Sequence, residues 1–527
     1  MSIEEQLIQL FEKNPNHYYK PRQLAKILKI TERQYPAFKR KLKKLAEQGI
    51  ITRHKKGKIG QGLRSYEVEG ILHVKTQGYG FLITDDDKAD IFISQKNMGL
   101  AFHGDRVRAL LFARLRGKSQ EGRVVEVLQR ARNNFVGTFR QGKYWGTVMP
   151  DNLKIHRTLY IAPENQMGAQ DGQKVVAHLL EWTDERQNPT GEIVEILGRP
   201  GDPGIDVLSI ARSFDLPDIF SKKVTAEAEA IPDEIPQDEI DRRLDWRNEL
   251  TFTIDPVDSK DFDDAVSLKI LDNGHYLLGV HIADVSYYVR PNSALDKESQ
   301  DRSTSVYLVD RVIPMFPERL SNEICSLKQG VDRLTFSVIM EMGKDGNVLK
   351  YEIRESIINS DRRFAYEEIQ EIIDGKRNEP KFQDTVLEMY RLSKKLIQKR
   401  QERGSLDFGS HEVRIELDEL GKPIAIHRIE QLDSHRLIEE FMVLANSIVA
   451  RHVDKILKEK TGLELPFPYR VHEKPSGEKL KDFRQFLKAL GISFKSTSRV
   501  TPRLFQDLQK SLKGSELQLL VEEVMVR

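Results

Sequence analysis

The chain has 527 residues with 39% hydrophobic side chains, enough for roughly three or four cores, which excludes a peptide, a disulfide miniprotein and a disordered tail. Its formal charge of +2 conceals an asymmetry: residues 1–200 carry 34 Lys and Arg against 22 Asp and Glu, net +12, and the remainder is −10. A basic N-terminal portion points to a polyanionic partner, the plain alternative being surface charge that drifts along a long chain. The single cysteine, Cys325, forbids an intramolecular disulfide and a Cys-rich metal site, and favours a reducing compartment, so the cytoplasm is expected. The opening MSIEEQLIQLFEKN lacks the pattern of a secretion signal. No run approaches about 18 uninterrupted apolar residues, and mean hydropathy is −0.50, so no membrane partner is expected.

Residues 1–69 hold 16 Lys and Arg against 7 Asp and Glu and read as a winged helix. Helix one is IEEQLIQLFEK, with Leu7, Leu10 and Phe11 on one face, helix two is RQLAKILK, and helix three runs from the N-cap Thr31 to Gly49. The third helix and the wing, GIITRHKKGKIGQGLRSYEV, offer Lys39, Arg40, Lys41, Lys43, Lys44, Arg53, Lys55, Lys56 and Lys58 to phosphates, a solvated basic face being the alternative.

Residues 70–130 change to short strands with glycines, a small β-barrel pattern. TQGYGFL and ADIFIS put Tyr79, Phe81 and Phe92 on neighbouring strands, where glycines admit a nucleobase and aromatic faces offer stacking. These segments resemble the cold-shock type of OB fold. Residues 131–199 repeat the pattern as a second OB-type barrel, in which Phe135, Phe139 and Trp145 individually read as core. Residues 200–246 are acidic and Pro-punctuated, a linker with short helices. Residues 247–527 mix strands and helices without βαβ regularity or a G-x-G-x-x-G or G-x-x-x-x-G-K-[ST] signature, which predicts one large α+β domain and argues against a nucleotide cofactor. The final SELQLLVEEVMVR is amphipathic and ends without Gly, Pro or a polar run, so this domain is expected to be incomplete at its C-terminus.

The densest chemical signal is LTFTIDPVDSKDFDDAVSL, with Asp255, Asp258, Asp261, Asp263 and Asp264 inside ten residues. Crowded like charges at a strand-loop-strand corner repel by several kcal/mol unless a hard cation neutralises them, which implies Mg²⁺, with Mn²⁺ able to substitute. Carboxylates holding two metals about 3.5–4 Å apart suit phosphodiester hydrolysis. The spacing does not match an EF-hand loop, and the flanking TFTI and AVSL disfavour an ordinary surface loop. Tyr307, Arg362, Arg363 and Tyr366 are candidates to hold a nucleic-acid strand, whereas Tyr287 and Phe364 read as core.

IDPVDSKDFDDAV, GVHIADVSYYV, VIPMFPERLSNEICSL, GSLDFGSHE and RLIEEFMVLAN together resemble the catalytic (RNB) domain of the ribonuclease II/ribonuclease R family of 3′-to-5′ exoribonucleases. The winged helix and two cold-shock barrels resemble the layout that precedes this domain in one branch of that family. The resemblance covers nearly all of the chain. It implies that Asp255, Asp261, Asp263 and Asp264 bind Mg²⁺ and position the attacking water, with Asp263 indispensable. It also implies that Tyr307 bears on RNA over DNA, that Tyr366 packs near the terminal bases, that Phe408 closes the far end of the base stack and that Glu440 supports the site. The implied protein is a cytoplasmic monomer, ribosome-associated, that processively removes 5′-monophosphate nucleotides from single-stranded RNA and from structured RNA with a 3′ overhang, in RNA turnover and quality control. The family continues with a T-S-P-I-R-[RK]-Y stretch carrying a catalytic-site arginine, then an S1 barrel, which this sequence lacks. The rival expectation is therefore an RNA-binding module without catalysis. A DNA-binding winged-helix regulator would leave the carboxylate cluster unexplained.

Overall fold

The computed structural model describes residues 6–7, 10–11, 18–32, 34–47, 51–53, 57–61, 67–85, 90–112, 120–406, 408, 412–460, 462, 467–471, 474–494 and 501–526. They fall into two units, residues 1–216 with 419–422, and residues 217–418 with 423–527.

The N-terminal part of the first unit contains helices Pro21–Ile27 and Tyr35–Glu47 and an antiparallel hairpin, β1 (Ile51–Arg53) and β2 (Ile59–Gln61). Leu7, Phe11, Leu24, Phe38, Leu42, Leu45, Ile51 and Ile59 form their shared core. The longer helix starts at Tyr35 rather than just after Thr31, because Pro36 has no amide proton and is tolerated only in the first turn. Most of the predicted first helix, and Lys55 and Lys56 of the predicted wing, lie outside the described residues.

Two closed five-stranded barrels follow. The first joins β3 (Glu67–Val74), β4 (Gly80–Thr84), β5 (Ile91–Ile93), β6 (Arg106–Leu111) and β7 (Glu121–Gln129) in the order β3-β4-β5-β7-β6. The second joins β8 (Asn134–Gln141), β9 (Gly146–Pro150), β10 (Leu159–Ile161), β11 (Lys174–Leu179) and β12 (Thr190–Gly198) in the equivalent order β8-β9-β10-β12-β11. A short parallel pairing, β5 with β7 and β10 with β12, closes each sheet on itself. Inward positions are apolar, as alternation along each strand requires: Leu72, Leu82, Ile91 and Ile93 in one barrel, and Phe135, Phe139, Leu159 and Ile161 in the other. Trp145 departs from expectation. It lies in the β8–β9 turn, where no facing layer exists, and is 45% exposed.

Residues 200–246 are packed rather than free. Helix Ile205–Ser213 lays Ile205 and Leu208 on Val136, Val176 and Leu197 of the second barrel. Helix Lys222–Glu229 buries Val224 and Ala228 in the second unit. Helix Gln237–Arg242 leads into Arg243, whose buried guanidinium meets Asp284 at 2.7 Å.

The second unit is built on a seven-stranded mixed sheet, with strands β13 (Leu244–Asp245), β14 (Thr251–Asp255), β15 (Asp264–Ile270), β16 (Tyr276–Ala283), β19 (Asp332–Met342), β20 (Val348–Asn359) and β21 (Arg362–Ala365). Their order is β13-β20-β19-β16-β15-β14-β21. Two hairpins stand apart from it, β17 (Val306–Tyr307) with β18 (Val312–Ile313), and β22 (Glu412–Leu417) with β23 (Pro423–Ile429). Helices Tyr366–Ile373, Gln383–Glu402 and Asp433–Lys460 cover one face around Phe252, Val266, Val280, Met340, Phe364, Met389 and Phe441. The last three helices, Gly477–Ala489, Pro502–Leu512 and Gln518–Val526, share a separate apolar cluster.

Candidate active site

The β-branched run TFTI makes β14 a fully buried strand, and Pro256, which has no amide to continue the ladder, ends it at Asp255. The antiparallel register of β14 with β15, Thr251 opposite Ser267 and Phe252 opposite Val266, brings Asp255 to the sheet end where β15 starts with Asp264. Asp261 and Asp263 sit on the intervening loop. One arginine fastens that loop from β21: Arg363 donates to the Pro256 carbonyl and lies over the Phe262 ring at 5.5 Å.

Each of these carboxylates feels the charge of a neighbour. Asp255 is 9% exposed, and its Oδ2 is buried without a hydrogen-bond partner. Burial pushes its carboxyl up to about 7, helped by Asp264 and Asp261 and opposed by the Thr253 hydroxyl and Arg363. Burial followed by the charge of Asp263 lifts Asp264 to about 6. Solvent reaches Asp263 at the rim, yet surrounding protein mass and the Asp261 charge raise it too. Among the described residues no three His, Cys, Asp or Glu side chains stand close enough to share one ion.

Tyr307 is 64% exposed on its hairpin, and its hydroxyl donates to Asp261 Oδ2 at 2.7 Å, while Ser259 donates to Oδ1 at 3.0 Å. Tyr366 begins its helix near Asp264 and Asp255, and burial, helped by those two charges, raises its phenol to about 12. One face of its ring is stacked on His435, centroids 4.0 Å apart and 13° from parallel. Asp258, by contrast, is an exposed partner of Arg414 at 3.1 Å.

Other predicted residues lie elsewhere. Tyr79, Phe81 and Phe92 are half-buried on the outer face of the first barrel, with centroids 5.6–5.9 Å apart and Phe81 directly opposite Phe92. They form a surface patch rather than core. Arg362 makes ion pairs with Glu368 and Glu379. Glu440 is buried on helix Asp433–Lys460, paired with Arg400 at 2.6 Å, and its electrostatic neighbours are Arg400, Glu439 and Arg403 rather than the aspartates. The helix rotates it toward a neighbouring helix, so the structure does not gather it into the carboxylate group. Phe408 is half-buried between residues outside the described set. Sequence reasoning missed an exposed apolar ledge: Ile282 and Phe336 lie in register with Asp264 on adjacent central strands. Apolar alternation marks both as core, yet both are exposed.

Comparison with known proteins agrees with this architecture. The RNB domain family matches residues 243–527, the ribonuclease B OB domain residues 70–127 and a cold shock domain residues 148–221. Ribonuclease R of Thermotoga maritima is 40% identical, over 97% of this chain and 72% of its own length. Ribonuclease R of Aquifex aeolicus is 35% identical over 100% and 73%, and that of Escherichia coli 33% identical over 94% and 61%. Among solved structures, Mycoplasma genitalium RNase R in complex with ribose-methylated single-stranded RNA is similar at a TM-score of 0.79 and 26% identity, over 87% of this chain and 72% of that one. Yeast Ssd1, a pseudonuclease, is similar at 0.67 with 18% identity over 92% and 63%, a likeness of fold alone. An RNB match over more than half the chain, and ribonuclease R relatives aligned along nearly all of it, establish that the chain belongs to the ribonuclease R family of RNB-domain proteins.

Proposed function

We propose that the chain is a divalent-metal-dependent 3′-to-5′ exoribonuclease that releases 5′-monophosphate nucleotides from single-stranded RNA and works processively into structured RNA with a 3′ overhang. The observation that carries this reading is the pair of strand-end carboxylates, Asp255 and Asp264, raised to about 7 and 6 beside Asp261 and Asp263, with one buried oxygen unpartnered. An all-oxygen, anionic donor set of this kind fits Mg²⁺ or Mn²⁺, and Asp255, Asp261, Asp263 and Asp264 would hold it. When bound, such a cation lowers the pKa of water and offsets charge on the phosphate.

The protein groups have separate tasks. Tyr307 fixes the rotamer of Asp261 through its hydroxyl and offers an exposed ring beside it. Tyr366, protonated at neutral pH, keeps a neutral hydrogen-bond donor at the edge of the carboxylates. Arg363 acts electrostatically on Asp255 and holds the loop that follows it. On the first barrel, Tyr79, Phe81 and Phe92 are platforms for bases arriving along the strand. Solved complexes of a relative contain single-stranded and double-stranded RNA, which supports RNA as substrate.

A time course on 5′-labelled single-stranded RNA with Mg²⁺ tests the reading. The expected result is a ladder shortening from the 3′ end, abolished by EDTA and by Asp263→Asn. RNA that stays intact but is retarded on a native gel would replace it with a binding module without catalysis.

A further inference from the structure

We propose that Ser326 is a positioning residue that sets the spacing between Asp261 and Asp263. Its side chain is wholly buried, 0% exposed, and one hydroxyl makes two hydrogen bonds to the aspartate loop from a segment more than sixty residues away. Oγ donates to the Lys260 carbonyl at 2.9 Å and accepts from the Phe262 amide at 3.1 Å. The two residues it grips flank Asp261, and Phe262 directly precedes Asp263. The next residue, Leu327, adds a backbone bond from its amide to the Phe262 carbonyl at 2.9 Å. Beyond Asp263 the loop is tied again, where the Ala283 amide donates to the Asp263 carbonyl at 2.9 Å.

The strap is itself rigid. Arg333 donates from Nε to the Ser326 carbonyl at 2.9 Å and from Nη2 to the Glu323 carbonyl at 2.8 Å. Cys325 and Leu327 on either side are buried. The segment follows a π-helical turn, Arg319–Ile324, a rare geometry that often marks functional sites. A loop carrying two repelling carboxylates has every reason to open, and Ser326 is the side chain that holds both backbone groups flanking the first of them. Small displacements at a reacting centre cost large rate factors, and partners behind metal ligands typically control affinity by about 10–100-fold.

This inference rests on the proposed nuclease reading, so the experiment has a readout independent of it. Mn²⁺ binding to the full chain is measured directly by electron paramagnetic resonance in the absence of RNA, alongside RNA hydrolysis, for the parent, Ser326→Ala and Ser326→Thr. The expected result is that Ser326→Ala weakens Mn²⁺ binding at least tenfold and lowers kcat by a similar factor while KM for RNA stays within twofold. Ser326→Thr, which keeps the hydroxyl, recovers most of both. Folding is checked by circular dichroism, and Leu295→Val, a buried member of the same apolar cluster that does not touch the aspartate loop, serves as the control for loosened packing, expected to lower the melting temperature without moving Mn²⁺ affinity. Unchanged Mn²⁺ binding in folded Ser326→Ala overturns the assignment, as does a loss that Leu295→Val reproduces. A parent whose Mn²⁺ binding depends on Ser326 but which leaves RNA intact would sink the nuclease reading and spare this one.

Discussion

Asp255 shows how one residue couples folding to the chemistry of the site. Its carboxyl titrates near 7 in the folded chain, against about 4 when unfolded, so the folded state binds the proton more tightly. Stability from this group is therefore present at low pH and lost as pH climbs from about 4 through 7. Asp255→Asn cannot ionise, so in EDTA at pH 8 it is expected to be more stable than the parent, by on the order of 1–3 kcal/mol, and to match it near pH 4. Saturating Mg²⁺ should narrow the gap by stabilising the parent. Thermal melts across pH check this, and a parent as stable as the variant at pH 8 in EDTA would remove the electrostatic account. At this scale the sequence was legible where chemistry is local: the aspartates announce themselves by crowding within a short loop. Glu440 and Ser326 were not legible, because one depends on helix rotation and the other on a contact across more than sixty residues.

At the scale of elements, one buried arginine ties the end of the 200–246 stretch into the second unit. Arg243 follows helix Gln237–Arg242 and reaches Asp284 at 2.7 Å, the Thr335 carbonyl at 3.2 Å and the face of Tyr287 at 5.4 Å. Asp284 in turn caps helix Val285–Tyr288, accepting from the Tyr287 amide at 3.3 Å. Arg243→Met strands Asp284 as a buried charge, and the expected cost is about 3–5 kcal/mol in urea unfolding of the second unit. Adding Asp284→Asn should recover a large part of it. A loss unaffected by the second substitution would place the arginine's contribution in packing instead. Composition described this stretch as a linker because it is acidic and rich in proline. What composition could not convey is that its few apolar residues, Ile205, Leu208, Val224 and Ala228, each meet a core. Pro36 teaches the converse, since a single residue whose backbone chemistry is fixed moved a helix start that the N-cap pattern had placed earlier.

Across the whole molecule, charge is distributed by task. The first 200 residues carry net +12, and Lys39, Arg40, Lys43 and Lys44 are exposed on one helix, while the carboxylates that would engage metal lie in the acidic remainder. RNA binding measured in EDTA is expected to weaken by about a thousandfold or more between 50 and 200 mM salt, as displacement of counterions from several phosphates requires. Replacing those four side chains by alanine should flatten the slope of log affinity against log salt by up to about one for each phosphate partner removed. An unchanged slope would assign that helix to a solvated face. The order of the large units was readable from their differing periodicities and motifs, because strand alternation, helix spacing and the aspartate loop each leave separate marks in the chain.

The two barrels share one strand order, β3-β4-β5-β7-β6 and β8-β9-β10-β12-β11, in consecutive stretches of chain. The same topological problem is thus posed twice, and a strand released from one barrel meets in its neighbour a slot of matching shape. Their interiors supply the discrimination: the first is filled by aliphatic side chains alone, whereas the second adds the rings of Phe135, Phe139 and Trp182 to its Leu, Ile and Val. A misplaced strand would bring volumes that the foreign interior cannot accommodate. Vectorial synthesis adds a second safeguard, since the earlier barrel can close before its twin has left the ribosome.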